Sequence, residues 1–584
     1  MLDITNIQHA PHTMCLPGQA AHKRVIVPSP FRLTTIRALP VENNHDTVQL
    51  IDLLNDPNIT ECWSFNYMHD IKFLMRHFPR ETRTMVRVNI VHGFWHEENA
   101  ERLALEKQAK NYVNVKLHKA FMPELYGSHN SKMLILKRYD GTAQIIIHTA
   151  NMIPRDWNNT TNAVWISPRL PKYIYTKDGI PGVGDGGKFG SGTRFKVDLL
   201  NYLRAYNARW NVCKALIEDL AENDFSAIRG ALVASVPGRH SVDPKSTVLT
   251  RWGWPALCKV LESVPAVTTE STEIVIQSPS IPAIGSNDEW LNFLFDKFSC
   301  TASSPILLFP FTRHTKVEGQ PDPKFKIIFP TADEIRQSLN GYQAGESIYT
   351  RTQSIRAQEQ LEYLLPLLHH WANDTEKGVL PKPINEKRFS AQAPLIADKD
   401  AGRKRAAPHL RTYMRFSGEA GGTLGERPRL DWALLTSASL SRQSWGSYVN
   451  RQDRVHITSW EIGVMVWPEL FAPTATPTSE ADASPPAAEM VATFKTDMPS
   501  EAEAEAEEEK RNGNGNRKKL PKAPLVGLRM PYSLPLQKYA RSETPWALEV
   551  PQTEPDVLGK TWEGIEKAPN GRLYIPNKDG NVYH

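Results

Sequence analysis

Apolar and polar positions alternate where Val86, Val88 and Ile90 are separated by Arg87 and Asn89, a period of two that predicts a half-buried strand. Glu97 to Tyr112 opens on acidic residues and continues at helical spacing, which predicts a helix. Val197, Leu200, Leu203, Tyr206, Trp210 and Cys213 recur every three or four residues, predicting a long amphipathic helix. Apolar runs at 273–277, 305–309 and 325–329 predict further strands, and 353–371 predicts another helix. Strands and helices interleave throughout, so the expected fold class is α/β.

The pattern fails at both ends of the scale of order. Residues 1–22 are polar and are expected to form a loose tail. From about 472 to 522 the chain is rich in Pro, Ala and Ser, then runs EAEAEAEEE (501–509) into NGNGNRKK (512–519). Such a stretch buries too little apolar surface to offset its ordering entropy, so a disordered acidic insert is expected. Patterned sequence returns at Leu525, which places the insert inside a domain rather than after one.

Composition narrows the class without naming a function. At 584 residues the chain has room for two ordinary domains, or one large domain of two halves. Its net charge is only +5, so a nucleic-acid site would have to be a local groove and not a general basic coat. The five cysteines are dispersed without metal-ligand or CxxC spacing, which suggests structural thiols in a reducing compartment. The first thirty residues lack the apolar run of a signal peptide, and no stretch approaches a membrane span. A cytosolic or nuclear protein is expected, with no membrane partner.

The chemistry lies in a weak internal repeat. The first copy reads GSHNSKM (127–133), then the apolar strand IIIHTANM (145–152), DW (156–157) and NAVWIS (162–167). The second reads PHLRTYM (408–414), then WALLTSASL (432–440), SW (444–445) and EIGVMVW (461–467). Residues i and i+2 of a strand share a face, so Asn130 and Lys132 aim at one spot, as do His409 and Arg411. Asn151 and Ser439 close the following strand in each copy, and two such half-sites face to face would form one composite pocket. Trp157 and Trp445 recur in both copies and are expected to be core packing.

This layout resembles the phospholipase D superfamily, and the wording of YGSHNSKM…IIIHTANMIPRDWNNTTNAVWISP and PHLRTYMRF…LLTSASLSRQSWG…SWEIGVMVWP is similar to its tyrosyl-DNA phosphodiesterase branch. The similarity runs from about residue 25 to 470 and resumes at MPYSLPL (530–536) and TPW (544–546). The resemblance implies two phospholipase D-like α/β halves related by a pseudo-twofold, at about 23–230 and 231–584, with the active site at their interface. It implies hydrolysis of 3′-phosphotyrosyl and related DNA 3′-end adducts in repair of topoisomerase lesions, in the nucleus, without a metal or other cofactor. The implied partners are single- or double-stranded DNA 3′ ends carrying a peptide or other adduct, bound by a monomer.

In that family a His of the first half attacks phosphorus, and a His of the second half protonates the leaving phenolate and then activates water. Carried over position by position, the nucleophile falls on Asn130, whose amide lone pair is delocalised. Lys132 and Asn151 keep the first half's phosphate donors, and His409 keeps the general acid and base. Arg411 stands at the second lysine position and presents a wider planar fork, while Ser439 stands at the second asparagine. Glu461 matches a supporting glutamate, and Asn162 replaces a supporting glutamine. His129 neighbours Asn130, so on a regular strand it points to the opposite face, and a local bulge would be needed to turn it inward. The resemblance also implies DNA contacts at Tyr67, Tyr126, Arg239, Ser280, Ser441 and Trp546. Two readings follow: a phosphodiesterase with altered chemistry around His409, Lys132 and Arg411, or a non-catalytic relative that binds DNA ends.

Overall fold

The computed structural model describes residues 24–94, 96–124, 127–173, 186–243, 247–265, 271–302, 322–373, 399–422, 427–449, 453–472, 487–499 and 523–565. Two seven-stranded sheets dominate it. In the first, β1 (Phe31–Leu33), β2 (Ile59–Phe65), β3 (Arg87–His92), β4 (Val115–Lys119), β5 (Met133–Arg138), β6 (Ala143–His148) and β7 (Ala163–Ile166) take the spatial order β1-β7-β6-β5-β2-β3-β4. In the second, β8 (Ala231–Ser235), β9 (Thr272–Gln277), β10 (Lys324–Ile328), β11 (Leu368–His369), β12 (Thr412–Ser417), β13 (Leu430–Thr436) and β14 (Glu461–Val466) take the order β8-β14-β13-β12-β9-β10-β11.

The two orders are the same list shifted by seven labels. Pairing matches as well: β2, β3 and β4 run parallel, as do β9, β10 and β11, and every other neighbour is antiparallel. The weak repeat in the sequence is therefore a repeat of topology. One apolar core lies between the sheets and draws Ile135, Ile145 and Ile147 from the first and Val275, Leu435 and Val464 from the second. The long helix Gly192–Trp210 buries Phe195, Leu199, Tyr202, Leu203 and Tyr206 in it. A separate core covers the outer face of each sheet, so the strands are apolar on both sides. This explains why β3 is not half-exposed as its alternation suggested. Only Arg87 of that strand is exposed, and the buried Asn89 donates to Glu61 at 3.0 Å.

Element ends differ from the periodicity for local reasons. The long helix stops at Trp210 because Asn211 turns left-handed at φ 51°, and Cys213 caps the next helix, Lys214–Leu220. The helix expected at 353–371 is Ile355–Leu364; a short 3-10 turn with Pro366 then leads into β11. The helix expected from Glu97 is Ala100–Ala109, capped by Asn99, whose side chain accepts from Arg102 N. The strand expected at 305–309 and the tail at 1–22 lie outside the described residues. The expected insert is not structureless throughout: Glu489–Thr493 forms a strand parallel to Leu525–Arg529, which pairs in turn with Ile26–Val27. Met490, Val491 and Ala492 are buried there, a short apolar run that the surrounding Pro and Ala obscured. Cys62, Cys213, Cys258 and Cys300 are buried free thiols.

The halves are stitched by two reciprocal backbone bridges. Trp460 N donates to Ser128 O at 2.9 Å and Asn130 N donates to Trp460 O at 3.0 Å. In mirror fashion, Thr161 N donates to Ala407 O at 3.0 Å and His409 N to Thr161 O at 2.9 Å. Each bridge bonds the key residue of one half-site to a residue just before the last strand of the other half's repeat. Gly127 permits the first, because a Cβ there would meet Thr458 O at 1.9 Å. Gly127→Ala is expected to cost about 1–3 kcal/mol through forced backbone movement, read as a lower urea midpoint with an unchanged m-value. An unshifted midpoint would show that this close approach is not needed.

Candidate active site

Asn130 and Lys132 sit on an extended segment just ahead of β5, and His409 and Arg411 occupy the same place ahead of β12. Asn151 and Ser439 lie three residues beyond the ends of β6 and β13. The structure thus brings the predicted pairs together at one interface, although the segments that carry them are not within the strands themselves. Lys132, Asn151, His409, Arg411, Ser439 and Glu461 are all buried, and Asn130 is half-buried.

Asn130 faces this interface. Its Nδ2 donates to Ser437 O at 2.7 Å and to Glu461 Oε2 at 3.0 Å, while its Oδ1 accepts a hydrogen bond from Lys132 Nζ. Glu461 also accepts from Ser437 Oγ at 2.6 Å and Ser444 Oγ at 2.8 Å. Three donors around a fully enclosed carboxylate offset the cost of burying it. Burial still raises the Glu461 pKa above the usual carboxylate range. His129 is turned away: its Nε2 lies 2.9 Å from Tyr206 Oη and its Nδ1 3.1 Å from Asn66 O, inside the central core. It does not take the nucleophile's place.

Across the interface, His409 Nδ1 faces two acceptors, Asn162 Oδ1 at 3.2 Å and Asp156 Oδ2 at 3.3 Å. The Asn162 amide is held in that orientation because its Nδ2 donates to Asp156 O at 2.8 Å and its Oδ1 also accepts from Thr149 Oγ1 at 2.8 Å. Two acceptors at Nδ1 assign the proton there. Nε2 then carries the lone pair, and it meets no hydrogen-bond partner among the described residues. Burial, with the Arg411 and Lys132 charges nearby, holds the His409 pKa well below its usual value, so the ring is neutral at pH 7. The arrangement is crossed: Asn162 of the first half braces His409, and Glu461 of the second half braces Asn130.

Asp156 was not expected to matter beyond its place in the repeat. It is fully buried, its pKa is raised by burial, and its Oδ2 accepts from Asn151 N at 2.7 Å. Only tertiary placement beside His409 reveals its role; the sequence signal was its recurrence position before Trp157. The cations complete the site. Arg411 Nε donates to Ser439 Oγ at 2.8 Å and Nη1 to His409 O at 3.4 Å. Burial first, then the Arg411 charge, brings the Lys132 pKa down to about 7. The Asn151 Oδ1 is buried without a partner among the described residues. Two cations, an amide and a hydroxyl around a neutral imidazole suit a tetrahedral oxyanion.

The expected DNA-contact residues fare unevenly. Arg239 is exposed on the strand Gly238–Ser241, Ser280 is half-buried beside Tyr349, and Tyr67 is half-buried with its ring 6.2 Å from Phe94. Tyr126 lies outside the described residues. Trp546 does not line the pocket: it is wholly buried, donates Nε1 to Gly345 O at 3.0 Å and stacks on Tyr342. Ser441 is also buried, capping the short helix Arg442–Trp445 by accepting from Ser444 N. Trp157 and Trp445 are core residues, as their repetition suggested.

The family profile Tyrosyl-DNA phosphodiesterase matches residues 30–540. A probable tyrosyl-DNA phosphodiesterase of Schizosaccharomyces pombe is 28% identical, covering 92% of this chain and 96% of the relative. Tyrosyl-DNA phosphodiesterase 1 of Arabidopsis thaliana is 27% identical, covering 92% of this chain and 77% of the relative. The crystal structure of the yeast tyrosyl-DNA phosphodiesterase superposes with a TM-score of 0.56 at 18% identity, covering 90% of this chain and 99% of that one.

The lowered Lys132 pKa sets a pH dependence. An oxyanion favours the charged lysine, which prevails in the empty site below about pH 7 and is lost above it. Sulfate, which does not titrate in this range, is expected to bind more weakly as pH rises through about 7, and Lys132→Arg should flatten the curve. Isothermal titration calorimetry checks this; a flat profile for the unaltered chain would mean Lys132 does not meet the anion.

Proposed function

The chain belongs to the tyrosyl-DNA phosphodiesterase family, and from that premise we propose that it acts on DNA 3′ ends carrying a phosphotyrosyl or similar adduct, in repair of topoisomerase lesions in the nucleus. The observation that carries the reading is the gathering of buried Lys132 and Arg411, one from each half, close enough to His409 that burial and their charges together depress its pKa. Arg411 and, in its charged form, Lys132 match the non-bridging oxygens of one phosphodiester, where charge builds in the transition state. Lys132 keeps N–H groups for this while one is held by Asn130.

Asn130 does not attack phosphorus, and both of its Nδ2 contacts are to acceptors. The proposed reaction is a single displacement. Water attacks phosphorus and gives a proton to His409 Nε2, the bond to the tyrosyl oxygen breaks, and the phenolate leaves to be protonated by solvent. The products are a 3′-phosphate strand and free tyrosine or its peptide. Asp156 and Asn162 hold Nδ1–H, and the Asp156 carboxylate balances the imidazolium that forms. Losing a nucleophile costs on the order of a millionfold in turnover in an unrelated hydrolase, so this route is slow. The Asn130–Lys132 hydrogen bond favours a second reading, DNA-end binding without turnover, because Asn130 fills the attacking position while the phosphate donors stay in place.

Single-turnover cleavage of a 3′-phosphotyrosyl oligonucleotide separates the two. The unaltered chain is expected to cleave slowly, His409→Ala to lower the rate by about 100-fold or more, and Asp156→Asn to lower kcat while leaving substrate affinity in place. Asn130→His should cleave faster and leave a covalent protein–DNA species on a denaturing gel, which the unaltered chain does not. Cleavage that survives His409→Ala would sink the water route. No cleavage except in Asn130→His would establish the binding protein.

A further inference from the structure

The far end of the long helix carries a cluster that the pocket does not use. Trp210, its last residue, is 42% exposed. The Arg209 guanidinium lies 4.9 Å from the Trp210 ring centroid and 5.4 Å from that of Phe121. Lys119 Nζ lies 5.6 Å from the same indole, and Phe121 meets it edge-on at 6.1 Å. Among the described residues no carboxylate pairs with Lys119 or Arg209. The helix is anchored through Phe195, Leu199, Tyr202, Leu203 and Tyr206, and Trp210, one turn beyond Tyr206 on the same stripe, emerges from the core at the helix end. Surface cation–π pairs contribute only about 0.5–1 kcal/mol.

Its position connects it to the pocket. Lys119 ends β4, and Phe121 begins the segment that runs nine residues on to Asn130. At about 3.3–3.6 Å per residue that segment spans at most about 30 Å. The Phe121 carbonyl accepts from Trp460 Nε1 at 3.0 Å, and the Trp460 backbone carbonyl accepts from Asn130 N. Farther along, Glu124 Oε1 lies 2.9 Å from His456 Nε2 on the strand Arg454–Ile457, whose partner Gly238–Ser241 exposes Arg239.

We propose that Lys119, Phe121, Arg209 and Trp210 form a second contact for single-stranded nucleic acid, a base stacking on Trp210 and its flanking phosphates meeting Arg209 and Lys119. The inference rests on the reading that the pocket holds the strand's 3′ end. A partly exposed indole with two cations at its ring, neither paired with a carboxylate among the described residues, matches the neighbouring base and phosphates of a strand. An acidic peptide would answer the cations but gives no reason for the indole between them.

The test is fluorescence anisotropy with labelled single-stranded oligonucleotides of about 4, 8 and 16 nucleotides ending in 3′-phosphotyrosine, using the full chain. Affinity should rise with length. Trp210→Ala should remove that gain by roughly tenfold for the longest strand and leave the shortest unchanged, while Trp210→Phe restores most of it. Arg209→Gln should lower the slope of log affinity against log salt by about 0.7. Equal affinities of Trp210→Ala and the unaltered chain at every length would overturn the second contact alone. Failure of the unaltered chain to bind the shortest strand, with the Trp210-dependent gain intact, would overturn the pocket reading and leave the contact standing as a separate site.

Discussion

Everything at the site depends on two backbone bridges that tie each half to the other's active segment. Ser128 and Asn130 bracket Trp460, and Ala407 and His409 bracket Thr161. Backbone hydrogen bonds do not depend on side-chain identity, so the bridges fix where residues 130 and 409 sit whatever those residues are. They also place Glu461 and Asn162, the residues after Trp460 and Thr161, beside the opposite half's key position. A pocket built this way has no hinge between its halves at the point of chemistry. The shared apolar core behind it, drawn from both sheets and the long helix, holds the same geometry from the other side.

The topological repeat explains why this part of the fold was legible in the sequence. Apolar runs of strand length, each copy holding a polar-x-basic triplet, survived in both halves, and the sheets duplicate strand for strand. Asn130, Lys132, His409 and Arg411 could be named because their spacing repeats, and Glu461 because the family resemblance implied it. What was illegible depends on partners distant in sequence. Asp156 gains its role from His409 Nδ1, Trp546 is buried because Gly345 leaves room for it, and Ser441 is taken up by a helix cap. The strand Glu489–Thr493 is five residues long and acquires order by lying between Leu525–Arg529 and the segment at Pro428 and Arg429. Periodicity carries no trace of such contacts.

The two sides of the pocket solve the same electrostatic problem differently. Glu461 is enclosed and takes three side-chain donors, so its negative charge is stabilised before any ligand arrives. Asp156 takes a backbone donor at Oδ2, and its Oδ1 has no hydrogen-bond partner among the described residues. An incompletely satisfied carboxylate beside Nδ1 gains most when His409 becomes charged, which is the state a base reaches after taking a proton. On the proposed reading, that asymmetry assigns proton transfer to the second half and anion binding to both.

Asn130 shows how this position can be fully paired by a residue that is not a nucleophile. Position 130 must present a donor to Glu461, or a buried carboxylate loses a partner at a cost of about 1–3 kcal/mol or more. An amide meets that demand and adds an acceptor for Lys132, so every polar group in the triangle is paired. A histidine would also donate to Glu461, but its second nitrogen would be free to face phosphorus. An apolar residue would leave Glu461 with only its two serine donors and Lys132 without its side-chain acceptor. The physical constraint at this position is therefore satisfied by two residue types, and only one of them is a nucleophile. The pairing of Asn130 accounts for Lys132 and Glu461 but not for Arg411, which bonds Ser439 and the His409 carbonyl, so on the proposed reading the two cations argue for oxyanion binding before they argue for turnover.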